Sequence, residues 1–291
     1  MNILLTGATG FVGSHLLRAL LEKGYNVVIV KRSFSNCARI EKCISKCTAY
    51  NLDEKELEAI FRGYRFQAVI HCATEYGGKD SAALDVVNSN LMFSLSLLET
   101  AVRFQCEYFI NTDSFFTKQL SERLWSSALI YKPEYTLSKY QFRQWGKLWS
   151  TERRINFINL QMEHIYGPMD SRTKFIPYIV HAMKTGVASL ELTDGEQVRD
   201  FIHVKDVVTA YITVLENLEH LSGYQNFEVG TGVPCTLRQF VEKLHTELNS
   251  KTQLNFGKLP RPKGEIVYSV AQTDDLRGLG WSIRHKDLID L

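Results

Sequence analysis

The sequence predicts an α/β protein built on a doubly wound parallel sheet, with a smaller α/β lobe drawn from the C-terminal third. Three observations carry that prediction. Asn2 to Thr6 is an apolar strand running straight into Thr6-Gly7-Ala8-Thr9-Gly10-Phe11-Val12-Gly13 and a helix to about Lys23. A second apolar strand, Asn26 to Val30, follows and completes a βαβ unit. Strand-like runs then alternate with helical patterns to about Gly232, the order that yields a parallel sheet covered on both faces.

The first turn is the strongest signal. Its glycines at 7, 10 and 13 serve a bend that needs positive φ and lets phosphate approach the backbone. The helix behind it offers unpaired N–H groups and the positive end of its dipole. Gly7, Thr9, Gly10, Phe11, Val12 and Gly13 are therefore expected to hold the pyrophosphate of a dinucleotide. The second strand ends in Lys31-Arg32-Ser33 with no carboxylate at hand. Two cations and a hydroxyl suit a ribose 2′-phosphate, so NADP(H) is expected over NAD(H).

The chain continues in the same grammar. Lys46 to Tyr50 reads as a third strand, and Asp53 with Glu56 has the spacing of a capping box for a helix to Arg62. Gln67 to His71 is the next strand, and its extension places Thr74, Glu75 and Tyr76 to meet cofactor or substrate. A helix is expected from Leu84 to Phe104, with Leu91, Leu95, Leu98 and Val102 on one face. Glu107 to Asn111 is a strand that opens into Thr112-Asp113-Ser114-Phe115-Phe116. Pro133 then starts a helix bearing Tyr135 and Lys139. Ile155 to Leu160 and Phe227 to Gly232 read as later strands, and Thr236 as a helix cap.

Residues four apart share a helix face, so Tyr135 and Lys139 enter one cleft. A tyrosine ordinarily titrates near ~10, and a neighbouring ammonium can lower that by roughly 1–3 units. Tyr135 is thus the expected general acid/base. A hydroxyl from the preceding strand would fix the substrate oxygen. Thr112 and Ser114 both qualify.

Composition narrows the rest. A net charge of +2, 45% hydrophobic and 23% charged residues describe an ordinary globular chain with no nucleic-acid footprint and no membrane-binding surface. The first strand starts at residue 2 and no apolar run approaches the ~18 residues of a membrane span, so a cytoplasmic setting is expected. Six cysteines fit a reducing compartment. The spacing of Cys37, Cys43 and Cys47 matches no zinc pattern, so no metal site is expected and they read as unpaired thiols near the surface.

The Thr-preceded G-x-x-G-x-x-G turn, the Tyr135-x-x-x-Lys139 pair and the block Gly195-Glu196-Gln197-Val198-Arg199-Asp200 together resemble the extended short-chain dehydrogenase/reductase superfamily, which acts on nucleotide sugars. The resemblance runs from residue 2 to about 282 and implies a Rossmann-like fold. It places Asn51 and Leu52 at the adenine, Cys72-Ala73-Thr74 beneath the cofactor, and Asn90 beside the active-site backbone. It makes Thr112 the catalytic hydroxyl, with Glu75, Asp113 and Ser114 facing substrate. His164 stands where the family's Asn meets the pyrophosphate, and Gln161 replaces the family's Arg. Arg199 and Arg261 are its phosphate ligands, and Asp200 orients Arg199 or caps a turn. The implied division assigns 1–165 and 198–230 to the NADP-binding domain, and 166–197 and 231–291 to the nucleotide-sugar lobe. The runs Thr74 to Gly77, Asn111 to Phe116 and Phe175 to Ile179 are most similar to CDP-sugar 4-ketoreductases of surface polysaccharide (O-antigen, lipopolysaccharide) biosynthesis. A nucleotide-sugar 4-epimerase, a 4,6-dehydratase and a nonenzymatic NADP-binding protein are the alternatives. The resemblance also implies a homodimer through helices 84–105 and 135–152, with Phe142, Trp145, Leu148 and Trp149 as apolar surface.

Overall fold

In the computed structural model, which describes residues 1–77, 81–120 and 132–285, seven parallel strands form the central sheet. They are β1 (Asn2–Thr6), β2 (Asn26–Lys31), β3 (Thr48–Asn51), β4 (Ala68–His71), β5 (Tyr108–Ser114), β6 (Asn156–Met162) and a final strand, Tyr224–Val229. Across the sheet they run β3-β2-β1-β4-β5-β6 and then the final strand. Every pairing is parallel. The order reverses between β1 and β4, and ligands of such sheets bind outside the carboxyl ends of the strands at that point.

The alternation of side chains assigns each residue to a face. Ile3 and Leu5 of β1 join Leu16, Leu17 and Leu20 of α1 (Phe11–Glu22) and Val207, Tyr211 and Val214 of the helix Val204–Glu216. Leu4, between them, points to the opposite cluster with Ile60 of α2 (Leu57–Gly63), Leu97 and Leu98, and Phe142. A strand buried on both faces must be apolar throughout, which is how β1 and β2 read.

A third cluster lies apart from the sheet. Tyr166, Ile176, Ile179, Leu192, Phe201 and Phe240 build it between the helices Phe175–Thr185 and Leu237–Glu247. Phe201 and Phe240 stack with ring centroids 3.8 Å apart. Thr236 caps the second helix: its hydroxyl accepts from Gln239 N at 3.1 Å, and Gln239 Oε1 accepts from Thr236 N at 2.8 Å. Residues 286–291 of the expected substrate lobe lie outside the described residues.

Three local expectations fail. The helix expected over Leu84–Phe104 is broken into α3 (Ala83–Val87), a π-helical turn (Asn88–Met92) and α4 (Phe93–Arg103). Asp53 does not cap α2, whose N-cap is Glu56; its carboxylate instead accepts from Ser33 N at 2.8 Å and from the Ser33 hydroxyl. The cysteine trio consists of free thiols, of which Cys37 and Cys47 are partly exposed and only Cys43 departs from the expected place near the surface. Cys43 is buried in the first cluster, and Cys37 and Cys47 pack against it. Burial pushes the Cys47 thiol up to about 11. Among the described residues no helix is long and apolar enough to cross a membrane.

The fifth helix, α5 (Pro133–Thr151), lies against the sheet through Gly146. A Cβ there would stand 2.2 Å from Phe157 Cζ on β6. Gly146→Ala should therefore destabilise the protein by about 2–3 kcal/mol, since overpacking outweighs the better helix propensity of alanine. Urea denaturation measures it, and Phe157→Leu in the same background should recover part of the loss. A Gly146→Ala protein as stable as its parent would refute this close packing.

Candidate active site

The turn between β1 and α1 is shaped by what a side chain would strike. Gly7 has φ +70°, and a Cβ on it would lie 2.5 Å from Ala73 N on the extension of β4. A Cβ on Gly13 would lie 2.1 Å from Gly7 O. Gly10 is the extended N-cap of α1, with its N–H on Gly7 O at 2.9 Å. The turn opens on a cleft of about 1420 Å³ whose wall includes Thr9, Gly10, Phe11 and Val12. No acidic residue stands in the first turn of α1, so the cradle fits a dinucleotide pyrophosphate.

Beyond the carboxyl end of β2, Lys31 and Arg32 line the cleft. Lys31 Nζ donates to Asn51 Oδ1 at 2.7 Å, and the Arg32 guanidinium sits 4.9 Å from the Phe34 ring centroid. Ser33 is not on the wall, because its N–H and hydroxyl are turned to Asp53. Asp53 does reach the wall, and those hydrogen bonds, the hydroxyl's first, hold its carboxyl low. Leu52 lines the cleft while Asn51 binds Lys31 and Glu54 instead. Arg39 is a cation that the sequence did not reveal: it lines the cleft and donates to Thr9 O at 3.3 Å and Met169 O at 2.8 Å. Only tertiary folding brings it there.

Cys72, Ala73, Thr74 and Glu75 form the cleft floor. Asn90 lies behind them, off the cleft wall and against the active-site backbone. Its Oδ1 accepts from Glu75 N at 2.7 Å and Thr74 Oγ1 at 3.1 Å. Its Nδ2 donates to Glu75 O at 2.8 Å and Ser138 Oγ at 3.2 Å. The π turn is what aims this side chain inward; such turns recur at functional sites.

Tyr135 and Lys139 are only 4% and 2% exposed. Lys139 Nζ donates to Thr112 O at 3.0 Å, and burial pulls its ammonium down to about 8, partly offset by Asp113. Tyr135 departs from expectation. Burial, reinforced by Tyr76, pushes its phenol well above the ordinary range, and a hydrogen bond with Ser114 offsets this only in part. Desolvation of the phenolate outweighs the nearby cation, whose Nζ is directed at a backbone carbonyl. Tyr76 stacks on Tyr135 with centroids 4.9 Å apart.

The geometry also separates the two candidate hydroxyls. Thr112 Oγ1 is 2.6 Å from Tyr211 OH and donates to Cys72 Sγ at 3.3 Å, away from Tyr135. Ser114 is the one joined to Tyr135. The Asp113 carboxylate is engaged by Arg143, Thr117, Asn159 and the Ser114 N–H, so it does not serve as an open substrate ligand.

At the far end, the His164 ring lies 4.2 Å from that of Phe115. Burial, then Arg199, pulls its imidazole down to about 3, so it is neutral. Its Nδ1 has no partner among the described residues. Arg199 lines the cleft beside it and donates to Glu265 Oε1 at 3.2 Å. Asp200 does not orient Arg199. It caps the turn after the final strand, accepting from Thr231 N at 2.7 Å and Gly232 N at 2.8 Å. Arg261 is turned out of the cleft toward Asp194, at 2.6 Å.

A glycine cradle at the switch point of a parallel sheet, beside a buried tyrosine and lysine one helical turn apart, defines a nicotinamide-dinucleotide enzyme of the extended short-chain type. The chain belongs to the NAD dependent epimerase/dehydratase family, whose model matches residues 3–230. It is similar to the CDP-abequose synthase of Salmonella typhimurium, with 34% identity over 96% of this chain and 92% of the relative. The CDP-abequose synthase of Salmonella muenchen is likewise 34% identical, over 97% of this chain and 92% of its own. Among solved structures, the UDP-glucose 4-epimerase of Thermotoga maritima with UDP-glucose aligns at a TM-score of 0.79 and 25% identity, covering 98% of this chain and 94% of that one. The UDP-glucuronic acid 4-epimerase of Bacillus cereus, at 22% identity over 98% and 95% of the two chains, shares the fold with a TM-score of 0.83.

The depressed Lys139 has a consequence for stability. Its folded value is about 8 against an ordinary 10.5, so between those values the unfolded chain binds more protons and stability rises with pH. Below about 8 the full penalty is present. The Lys139→Met protein should lack this rise, its advantage over the parent shrinking from pH 7 to pH 9.5 by on the order of 1–2 kcal/mol. Chemical denaturation at the two pH values measures it, and parallel curves would show that Lys139 is not desolvated.

Proposed function

We propose that this enzyme reduces the C4 keto group of a nucleotide-linked deoxysugar, of the CDP-4-keto-deoxyhexose type, with NADPH. The observation that carries the reading is the buried, protonated Tyr135. A phenol held above its ordinary range keeps its proton at neutral pH and can give it to an alkoxide forming beside it. The glycine turn would hold NADPH, with Lys31, Arg32 and Arg39 at its 2′-phosphate, and the bound cofactor would supply the hydride. Lys139 holds the nicotinamide ribose, and its ammonium favours charge building on the substrate oxygen. Ser114 orients that oxygen. His164 and Arg199 face the sugar-nucleotide pyrophosphate from the NADP-binding domain, at its border with the 166–197 and 231–291 lobe.

The alternatives fit less well. A 4-epimerase keeps one oxidised cofactor through its cycle and has no use for a 2′-phosphate site. A 4,6-dehydratase needs a further acid and base, yet Asp113 is enclosed by donors and a serine follows it. A nonenzymatic binder has no need of a buried Tyr/Lys pair. The likeness to the two CDP-abequose synthases supports the CDP-sugar class and a role in surface polysaccharide synthesis. We place the protein in the cytoplasm, where its six unpaired cysteines remain reduced. We further propose a homodimer through α3–α4 and α5, on which Leu84, Met92, Trp145 and Leu148 are exposed. Phe142 is fully buried in the core and does not contribute.

The test is stoichiometric. The purified protein should oxidise one NADPH per CDP-4-keto-6-deoxyhexose consumed and prefer NADPH to NADH. Conversion of an unreduced nucleotide hexose to its 4-epimer or 4-keto product without added NADPH would overturn the reading.

The two hydroxyls make a second test. Ser114→Ala should lower kcat by about 10²-fold or more, the typical loss on removing a donor aimed at developing charge. Thr112→Val should cost less than tenfold, because its hydroxyl is held by Tyr211. The reverse order in stopped-flow hydride transfer would return the role to Thr112.

A further inference from the structure

We propose that the Asp113–Arg143 ion pair is a positioning device that fixes the end of β5 against α5 and withholds Asp113 from proton transfer, confining the site to keto reduction. The inference rests on the reductase reading above. Tyr135, Lys139 and Arg143 follow one another at four-residue steps and so share a face of α5. The first two reach the cleft. Arg143, one turn further, places Nη1 3.2 Å from Asp113 Oδ2 and 3.1 Å from Thr117 Oγ1.

Asp113 has a fully buried side chain. Its Oδ2 also accepts from Thr117 Oγ1 at 3.0 Å and Asn159 Nδ2 at 3.1 Å, and its Oδ1 accepts from Ser114 N at 2.8 Å. Three of these four donors crowd Oδ2 and only the Ser114 N–H meets Oδ1. Of the carboxylate's roughly four acceptor directions, those on Oδ2 are thus closed to a sugar hydroxyl and one on Oδ1 stays open, in a side chain with no exposure to solvent. Expelling water across C5 and C6 requires an acid that meets the leaving hydroxyl, and Oδ2 of Asp113 is already taken up by a guanidinium, a hydroxyl and an amide.

The pair is also placed to set distances. The residue before Asp113 gives its carbonyl to Lys139 Nζ at 3.0 Å. The residue after it bonds Tyr135 through its side chain. Gln161 Nε2 fixes Thr117 Oγ1 at 2.7 Å from beneath. Asp113–Arg143 is thus another tie between the same strand end and the same helix, made by the residue between the two that touch the catalytic pair. A misplacement of about 1 Å in such a site costs on the order of 10²-fold in rate.

The test compares the parent with Asp113→Asn, Arg143→Gln and the double variant, reading kcat, KM, NADPH affinity and melting temperature. Each single change should lower kcat by about thirtyfold or more while NADPH affinity holds within about threefold. The double variant, whose neutral amides can still bond each other, should recover to within about fivefold of the parent. Singles that keep kcat within threefold would overturn the positioning role. A double variant as slow as Asp113→Asn would overturn it too, by showing that the Asp113 charge enters the chemistry. Should the singles not fold, Thr117→Val loosens the pair without removing charge and is expected to lower kcat about fivefold with KM unchanged; unchanged kcat overturns the proposal. Should the parent not oxidise NADPH with any 4-keto-sugar, the reductase reading fails, and the pair is judged on melting alone. There, a double-variant loss smaller than the sum of the singles supports it, and additive losses overturn it.

Discussion

The structure depends on one close approach, that of the glycine turn to the extension of β4. At Gly7 there is no room for a Cβ, which would sit 2.6 Å from Cys72 C and 2.5 Å from Ala73 N. Bringing two backbones this near makes the cofactor cradle and the cleft floor a single unit. The contact is reinforced from within: Ala73 N donates to Thr6 Oγ1 at 3.2 Å, and that hydroxyl meets His71 Nδ1 at 2.8 Å. His71 is fully buried and its other nitrogen meets Ser94 Oγ at 2.8 Å. Burial holds this imidazole well below its ordinary range. It therefore acts as a neutral, doubly bonded strut between β1 and α4.

From that floor the same logic reaches the catalytic helix. Glu75 is gripped by Asn90 through both its N–H and its carbonyl, and Asn90 passes on to Ser138. Ser138 lies one residue before Lys139. Polar contacts thus connect the extension of β4 to the helix that carries Tyr135 and Lys139. The contacts to Glu75 are part-buried and the Asn90–Ser138 contact is buried, where an unmade hydrogen bond costs about 1–3 kcal/mol. The arrangement is rigid because no link in it can be broken cheaply.

Much of this was legible in the sequence, and the reason is local. The glycine spacing, the Tyr135/Lys139 pair and the alternation of β1 are patterns whose physics is contained within a few residues. The failures share the opposite property. Asp53 has the spacing of a cap, but Ser33, just past the end of β2, competes for its carboxylate. Asn90 sits in a π turn that no periodicity announces. Arg39 joins the cleft only through Thr9 and Met169, and Arg261 leaves it for Asp194. Thr112 and Ser114 lie on the same side of an extended strand, so only the position of Tyr211 distinguishes them. In each case a residue far along the chain decided the outcome.

Electrostatics followed the same rule, with burial overriding the neighbour. Sequence spacing puts an ammonium one turn from a phenol, and that pairing alone argues for a lowered tyrosine. In the folded chain both groups are buried, and desolvation acts on each in the direction of neutrality: Lys139 falls to about 8 and Tyr135 rises. The lysine cannot offset the tyrosine's burial while its Nζ is directed at Thr112 O. A neutral phenol is a proton donor, whereas a site built to oxidise an alcohol needs the phenolate. The feature responsible for both shifts is the depth at which α5 sets Tyr135 and Lys139.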